Sequence, residues 1–431
     1  MGFSPMAPTL SAPVRWMMST FLSIYRSLAL LWMRLRSSST QLAGTPPEEA
    51  AAARRVVHGE AWNEFCDTLK AAGAALVAPG APTDAFNQAE GYRYLARLTR
   101  AGLENFLECA DVEAPALTSI ANGMRPAPIK LGSDNPDNLY EHATIDGSLE
   151  YVVSGDRGRV PYLGFGTQSG SYGGKGGLAT VDYVEADALV YDDAQRQHFT
   201  IVLSSERPPE AVNWLKLKPE PREAMFILRQ TFGDRTKETP ARVSISLRGG
   251  QGGPSPLTAV KLEQALQGAG VLVAGASMMF ARWARGFQEH TNELPLFDVE
   301  RSNEAGGDPN IRYYHSYWRI GPEEALRIKV RPPPCRCWNF QLNNHWMESL
   351  DYRYHSVHTN DTLARADEGD EEAYSIVVSH SNPNVEGKFR GNWISTVGHS
   401  CGTMCFRFIA PKVSDADLPH PTIAVVRVND L

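Results

Sequence analysis

The chain predicts a mainly β protein with added helices, built as two duplicated antiparallel lobes of β-sandwich or jelly-roll type. Three observations predict it. At 431 residues the chain exceeds what one hydrophobic core serves. Short β-type runs cut by Gly and Pro replace helical periodicity beyond Pro126. Four landmarks then recur in the same order. Tyr140 precedes Gly147 as Tyr314 precedes Gly321, and Phe165 and Phe340 follow at near-equal spacing. Each copy next reaches an Asn-Trp pair, Asn213-Trp214 and Asn392-Trp393, and a final strand with a central arginine, Arg229 and Arg407. The copies span 139–232 and 313–410, the second lobe reaching 425.

The elements follow in chain order. Residues 1–47 hold Arg15, Arg26, Arg34 and Arg36 and no acidic residue, and Trp16–Met33 is largely apolar. A mid-span arginine is costly in a bilayer and interrupts a secretory core. An acid-free, Arg- and Ser-rich leader fits a mitochondrial-type transit peptide or a peripheral membrane contact through residues 16–36; translation starting at Met17 or Met18 is the plain alternative. Leader and linker together cover 1–52. A helical region follows over 53–125, with Trp62, Phe65, Leu69 and Leu76 on one helix and Tyr92, Leu95, Leu98, Leu103 and Phe106 striping a second, all read as core. Between the lobes, 233–312 reads as a helical insert, with Ser255-Pro256 opening a helix that Gly268 ends. The apolar run Val271–Ala281 is too short to span a bilayer and reads as a buried helix.

Composition excludes several classes. The chain is 42% hydrophobic and 21% charged, which rules out a disordered polymer. A formal charge of -7 argues against a nucleic-acid partner. Six cysteines are too few for a disulfide scaffold, and thiols fit a reducing compartment.

The second copy, with its Gly-centred hairpin, Cys337-Trp338-Asn339-Phe340-Gln341 strand, Asn392-Trp393 pair and Arg407 strand, resembles the domain of unknown function numbered 1214, often found beside its partner 1254. The run from Ala89 to Leu98 resembles the helical part preceding that domain. The resemblance covers roughly 60–425 and is strongest in 310–410. It implies sandwich lobes with helices and no established reaction. Where the family's strand usually reads Trp-Ser-Leu-Thr, this chain has Trp338-Asn-Phe-Gln341.

The densest polar constellation runs from Asn343 to His358. His345 with Glu348, or His355 with Asp351, could be a general base with its orienting carboxylate. Arg353 could hold an anionic or carbonyl group, and Trp346, Tyr352, Tyr354 and His358 could line a substrate. The matching stretch of the first copy, 166–177, is glycine-rich and offers Gln168 and Tyr172. A cleft between lobes, walled by these two segments, is expected. The alternative is that Asp351, Arg353 and their neighbours form an ion-pair network joining the lobes. His345, His355 and His358, or Cys335 and Cys337 with Cys401 and Cys405, could supply zinc ligands. The cysteines lack the CxxC pairing of a zinc site, and free cysteines are commonly small buried hydrophobes, so no metal is expected. No phosphate loop, GxSxG elbow or reactive Cys-His spacing is present, so no cofactor is expected. Arg229 and Arg407, at matching strand positions, read as structural groups each pairing with a carboxylate. Two functions follow: a cofactor-independent hydrolase or lyase acting on a small organic substrate, or a module binding a carbohydrate or lipid. The leader alone suggests a third, a structural subunit of a membrane-associated assembly.

Overall fold

A computed structural model describes residues 12–37, 46–121, 128–170, 179–250, 253–304, 310–383 and 391–431. The apolar periodicity of the front half produces α1 (Ala12–Ser37), α2 (Pro47–Val57), α3 (Glu60–Ala72) and α4 (Ala85–Leu103). Asp84 caps α4 by accepting the Asn87 N–H at 3.0 Å. Two residues of the expected stripes point outward: Trp62 and Tyr92 are exposed, and Tyr94 is buried instead.

Strand β1 (Thr118–Ala121) leads into the first lobe: β2 (Asn138–Asp146), β3 (Tyr151–Asp156), β4 (Tyr162–Ser169), β5 (Ala179–Glu185), β6 (His198–Ser204), β7 (Trp214–Lys216), β8 (Glu223–Thr231) and β9 (Arg242–Leu247). After α5 (Ala259–Phe287) and the short α6 (Val299–Glu304) comes the second lobe: β10 (Ile311–Arg319), β11 (Glu324–Val330), β12 (Cys337–Leu342), β13 (His358–Asn360), β14 (Tyr374–Ser379), β15 (Asn392–Ser395), β16 (Cys401–Ile409) and β17 (Thr422–Arg427). Each lobe is two facing sheets. The first has orders β1-β2-β8-β4-β5 and β7-β6-β3-β9; the second has β10-β16-β12-β13 and β15-β14-β11-β17. Setting β1 aside, adding eight to every strand number converts one lobe into the other. Even the single parallel pair in each lobe corresponds, β6 with β7 and β14 with β15. The lobes are a duplication.

The Asn-Trp pair holds the same post in both. Asn213 Nδ2 donates to the carbonyls of Val190 (2.7 Å) and Thr200 (2.9 Å), and its Oδ1 accepts the Val190 N–H at 2.9 Å. Asn392 does likewise with Arg365 (2.9 Å and 2.8 Å) and Ser375 (3.0 Å). The indoles of Trp214 and Trp393 donate to Ser204 and Ser379 at 2.9 and 3.0 Å. Both motifs thus stitch a loop to the sheet and satisfy backbone groups left outside the ladder.

Three expectations are corrected. Strand β9 lies inside the stretch read as a helical insert, and pairs along β3. Helix α5 starts at the Thr258 cap and runs through Gly268. A side chain at Gly268 would meet the Phe106 ring at 2.6 Å, so glycine here admits a neighbouring element rather than ending the helix. The landmark Tyr140 corresponds to Tyr313, not Tyr314: Tyr140 faces Arg229 across the ladder as Tyr313 faces Arg407. Because strand faces alternate, that one-residue offset moves the tyrosine from the core to the outside of the sandwich.

Among the described residues, the segment 259–290 is long and apolar enough to cross a bilayer, and over half of it is buried in the protein. It is a core helix: it packs on α2, α3 and α4 on one side and on the lobes on the other.

Replacing Asn213 or Asn392 with Ala removes three hydrogen bonds at a buried or half-buried post. Each change is expected to cost about 2–4 kcal/mol in chemical denaturation. A cost near zero in both lobes would contradict the shared role.

Candidate functional site

The structure disperses the residues of the 343–358 segment. His345 is 1% exposed, its Nδ1 sits 3.0 Å from the Tyr317 hydroxyl, and its ring packs edge-on against Trp346. Burial pushes its imidazole down to about 4. Glu348 is fully buried and paired with Arg97 of α4 at 2.7 Å, while Asn344 donates to its other oxygen at 2.9 Å. Trp346 lies under Gly91 and donates its indole N–H to the Asn87 carbonyl at 3.2 Å. These residues fasten the helices onto the second lobe. The pairing of His345 with Glu348 as base and orienter does not form, because each is committed elsewhere.

The second pairing is not made either. Asp351 accepts from Arg353 at 2.9 and 2.8 Å, which holds its carboxyl down to about 2, and His355 meets Asp351 through its backbone N–H at 3.1 Å. His355 and Tyr354 are exposed, and Arg353 stacks over Tyr354 with 5.1 Å to its centroid. Tyr352 is covered by the cations of Lys130 and Arg235. His358 pairs with Asp137 at 3.0 Å. Gln168 projects from the outer face of β4 and does not border the cavity described next. Tyr172 lies outside the described residues, as does most of the glycine-rich run. The side chains of 343–358 thus build a seam, not a wall of a cleft. Among the described residues no group of three His, Cys, Asp or Glu stands together as a metal site would need.

A cleft between the lobes does exist, on different residues. It is a cavity of about 530 Å³, within the size range of small-molecule sites. One wall is a single face of α5, with Val271, Leu272, Gly275, Ala276, Met279, Phe280 and Trp283 recurring at helical steps. The facing walls are the outer surfaces of β2, β4 and β8 in the first lobe and of β10 and β16 in the second. They present the equivalent pairs Tyr140–Arg229 and Tyr313–Arg407. Both guanidiniums are close enough to bear on the Tyr140 phenol electrostatically. Both pairs therefore border the same cavity. Arg336 adds a third cation at the rim, 2.9 Å from Glu185 and stacked over Tyr162.

Arg407 is 5% exposed. The expected carboxylate partner is replaced by neutral acceptors: its guanidinium donates to the Ser133 carbonyl at 2.7 Å, to Gln341 and to Asn339. Ser133 belongs to the segment 128–137, which threads between the lobes. Asn339 donates to Asn135 at 2.7 Å, Gln341 to the Asp134 carbonyl at 2.8 Å and Asn343 to Ser133 Oγ at 2.9 Å. Asp134 accepts the backbone N–H and hydroxyl of Ser349 at 2.9 and 2.6 Å, and burial lifts its carboxyl to about 6. Beside the cavity, Cys405 and His315 approach to 3.9 Å, a Cys-His contact that linear spacing did not show. Burial pushes that thiol up to about 11 and the imidazole down to about 3, so both stay neutral and no thiolate nucleophile forms.

No family model matches the chain, and no curated protein does. Among solved structures, the crystal structure of an uncharacterized protein from Burkholderia cenocepacia is 39% identical to it and covers 88% of this chain and 100% of its own, with a TM-score of 0.79. The chain belongs to that protein's family. A second solved structure, the VPA0106 protein from Vibrio parahaemolyticus, is 11% identical over 77% of this chain and 98% of its own, with a TM-score of 0.44.

Of the cavity residues, Arg229, Arg407 and Tyr140 were visible only as landmarks of the repeat. A usable signal was present: a tyrosine and an arginine on the same strand face in both copies. Asp134 and Ser133 gave none.

His345→Ala is expected to destabilise the fold by about 2–4 kcal/mol, and His355→Ala by under about 0.5 kcal/mol. His142, His345 and His399 are pushed down to about 4 by burial. A histidine of ordinary affinity when unfolded then takes up protons preferentially in the unfolded chain. Stability is complete above about pH 6.5 and is lost as pH falls toward 4. Denaturant midpoints across that window should fall less steeply in His345→Gln than in the natural chain; equal slopes would contradict the burial of a neutral imidazole.

Proposed function

We propose that the chain binds a small organic acid with an apolar body in the inter-lobe cavity. The observation that carries this reading is that Arg229, Arg407 and Tyr140 border one cavity opposite the apolar face of α5. A guanidinium and a phenol recognise a carboxylate or phosphate oxygen through charge-assisted hydrogen bonds. A lining of Leu272, Met279 and Phe280 suits a hydrocarbon portion. An incoming anion would also compensate a buried cation that neutral acceptors satisfy only in hydrogen bonding. A carbohydrate fits less well, since of the expected platform Trp346 is buried and Tyr352 is covered by Lys130 and Arg235, which leaves Tyr354 alone exposed.

Asp134 favours a second reading, in which the site is that of a cofactor-independent lyase or hydrolase. A cavity-side carboxyl held near 6 can exchange a proton at neutral pH. Recovering a bound acid chemically unchanged after long incubation would remove this reading and leave the first intact.

Calorimetric titration with decanoate, decanol and acetate tests the binding. Decanoate should bind more tightly than either the neutral or the short ligand, and Arg229→Gln should weaken it by about tenfold. Gly275→Leu is the sharper variant. Nothing lies within 4 Å of a Cβ at Gly275, which borders the cavity, so leucine fills the space without disturbing the helix. It should abolish binding while thermal stability stays level or rises. Undiminished binding in Gly275→Leu would overturn the proposal.

A further inference from the structure

Helix α1 meets the body through Arg26 and Leu30 and turns its broadest apolar stripe outward. Arg26 donates to the Asn63 side chain of α3, and Leu30 lies 3.3 Å from where a Cβ on Gly59 would stand. At 100° per residue, Met17, Phe21, Ile24, Leu28, Leu31 and Trp32 fall within an arc of roughly 100° on the far side. Each of the six is more than half exposed. Ser19, Ser23 and Arg26 lie on the opposite side, together with Leu30 where the helix meets the body. A helix stabilised by packing on its own protein would be turned the other way, with the apolar stripe inward. The outward stripe is a surface for something apolar.

We infer that α1 lays this stripe on an anionic lipid surface. Charge selects that occupant. Residues 1–47 carry four arginines and no acid, so the remaining residues have 38 basic side chains against 49 acidic ones, a net of -11. A bilayer bearing acidic headgroups attracts the cationic helix and leaves the acidic body in water. A second copy would instead set two cationic segments face to face. Aromatic Trp32 and Phe21 among aliphatics suit the headgroup boundary. Arg26, midway along the helix and tied to the body, opposes a spanning orientation.

Vesicle flotation of the full chain tests the inference. Binding to phosphatidylcholine vesicles containing phosphatidylglycerol should exceed binding to phosphatidylcholine alone by about tenfold and should fall with added salt. The double variant Phe21→Glu/Leu28→Glu should lose flotation with its unfolding temperature unchanged, since both side chains are exposed. Three results would overturn the inference: no flotation of the natural chain, equal flotation with neutral vesicles, or a dimer in solution that the double variant dissociates.

Discussion

The guanidinium of Arg407 is the constraint around which the two lobes are set. A buried cation without a carboxylate beside it is costly unless its donors are met and its orientation is held. The Ser133 carbonyl and the amides of Gln341 and Asn339 meet them. That arrangement draws the 128–137 segment between the lobes and fixes it to the outer face of β12 and β16. The same segment carries Asp134 to Ser349 and Asp137 to His358. With this strap seated, the facing sheets stand apart by the width of a cavity, and α5 closes the third side.

Duplication explains why the cavity has paired tyrosines and arginines, and divergence explains why its two walls differ. Opposite Arg229 on the neighbouring strand stands Gly164; opposite Arg407 stands Asn339. Asparagine fills its position and bonds the strap. Glycine leaves its position to the hydroxyls of Tyr183 and Tyr162, which would lie 2.1 and 2.8 Å from any Cβ there. One lobe uses the position to bond the strap, and the other fills it with tyrosine hydroxyls.

The repeat was legible because Asn213, Trp214, Asn392 and Trp393 do a backbone task that few residue types perform. The sandwich class followed from it. The site was less legible. Histidines and carboxylates clustered in 343–358 look alike whether they act on a ligand or bind one helix to a sheet. Only burial and partners distinguish the cases: Glu348 reaches Arg97, some 251 positions away in sequence. In the second copy two tyrosines stand side by side, and only the ladder shows that Tyr313, not Tyr314, matches Tyr140; in a strand that one-residue offset exchanges core for surface. Gly268 looks like a helix end in the sequence because the Phe106 ring that needs this glycine comes from a distant element.

The most direct measurement is the location of a heavy-atom ligand in a crystal of the full chain. A bromine-terminated medium-chain carboxylic acid should give its anomalous peak beside Met279 and Phe280, with the carboxylate between Tyr140, Arg229 and Arg407. A peak against Tyr354 and His355, or an empty cavity with the acid bound elsewhere, would contradict the assignment of function to the space between the lobes.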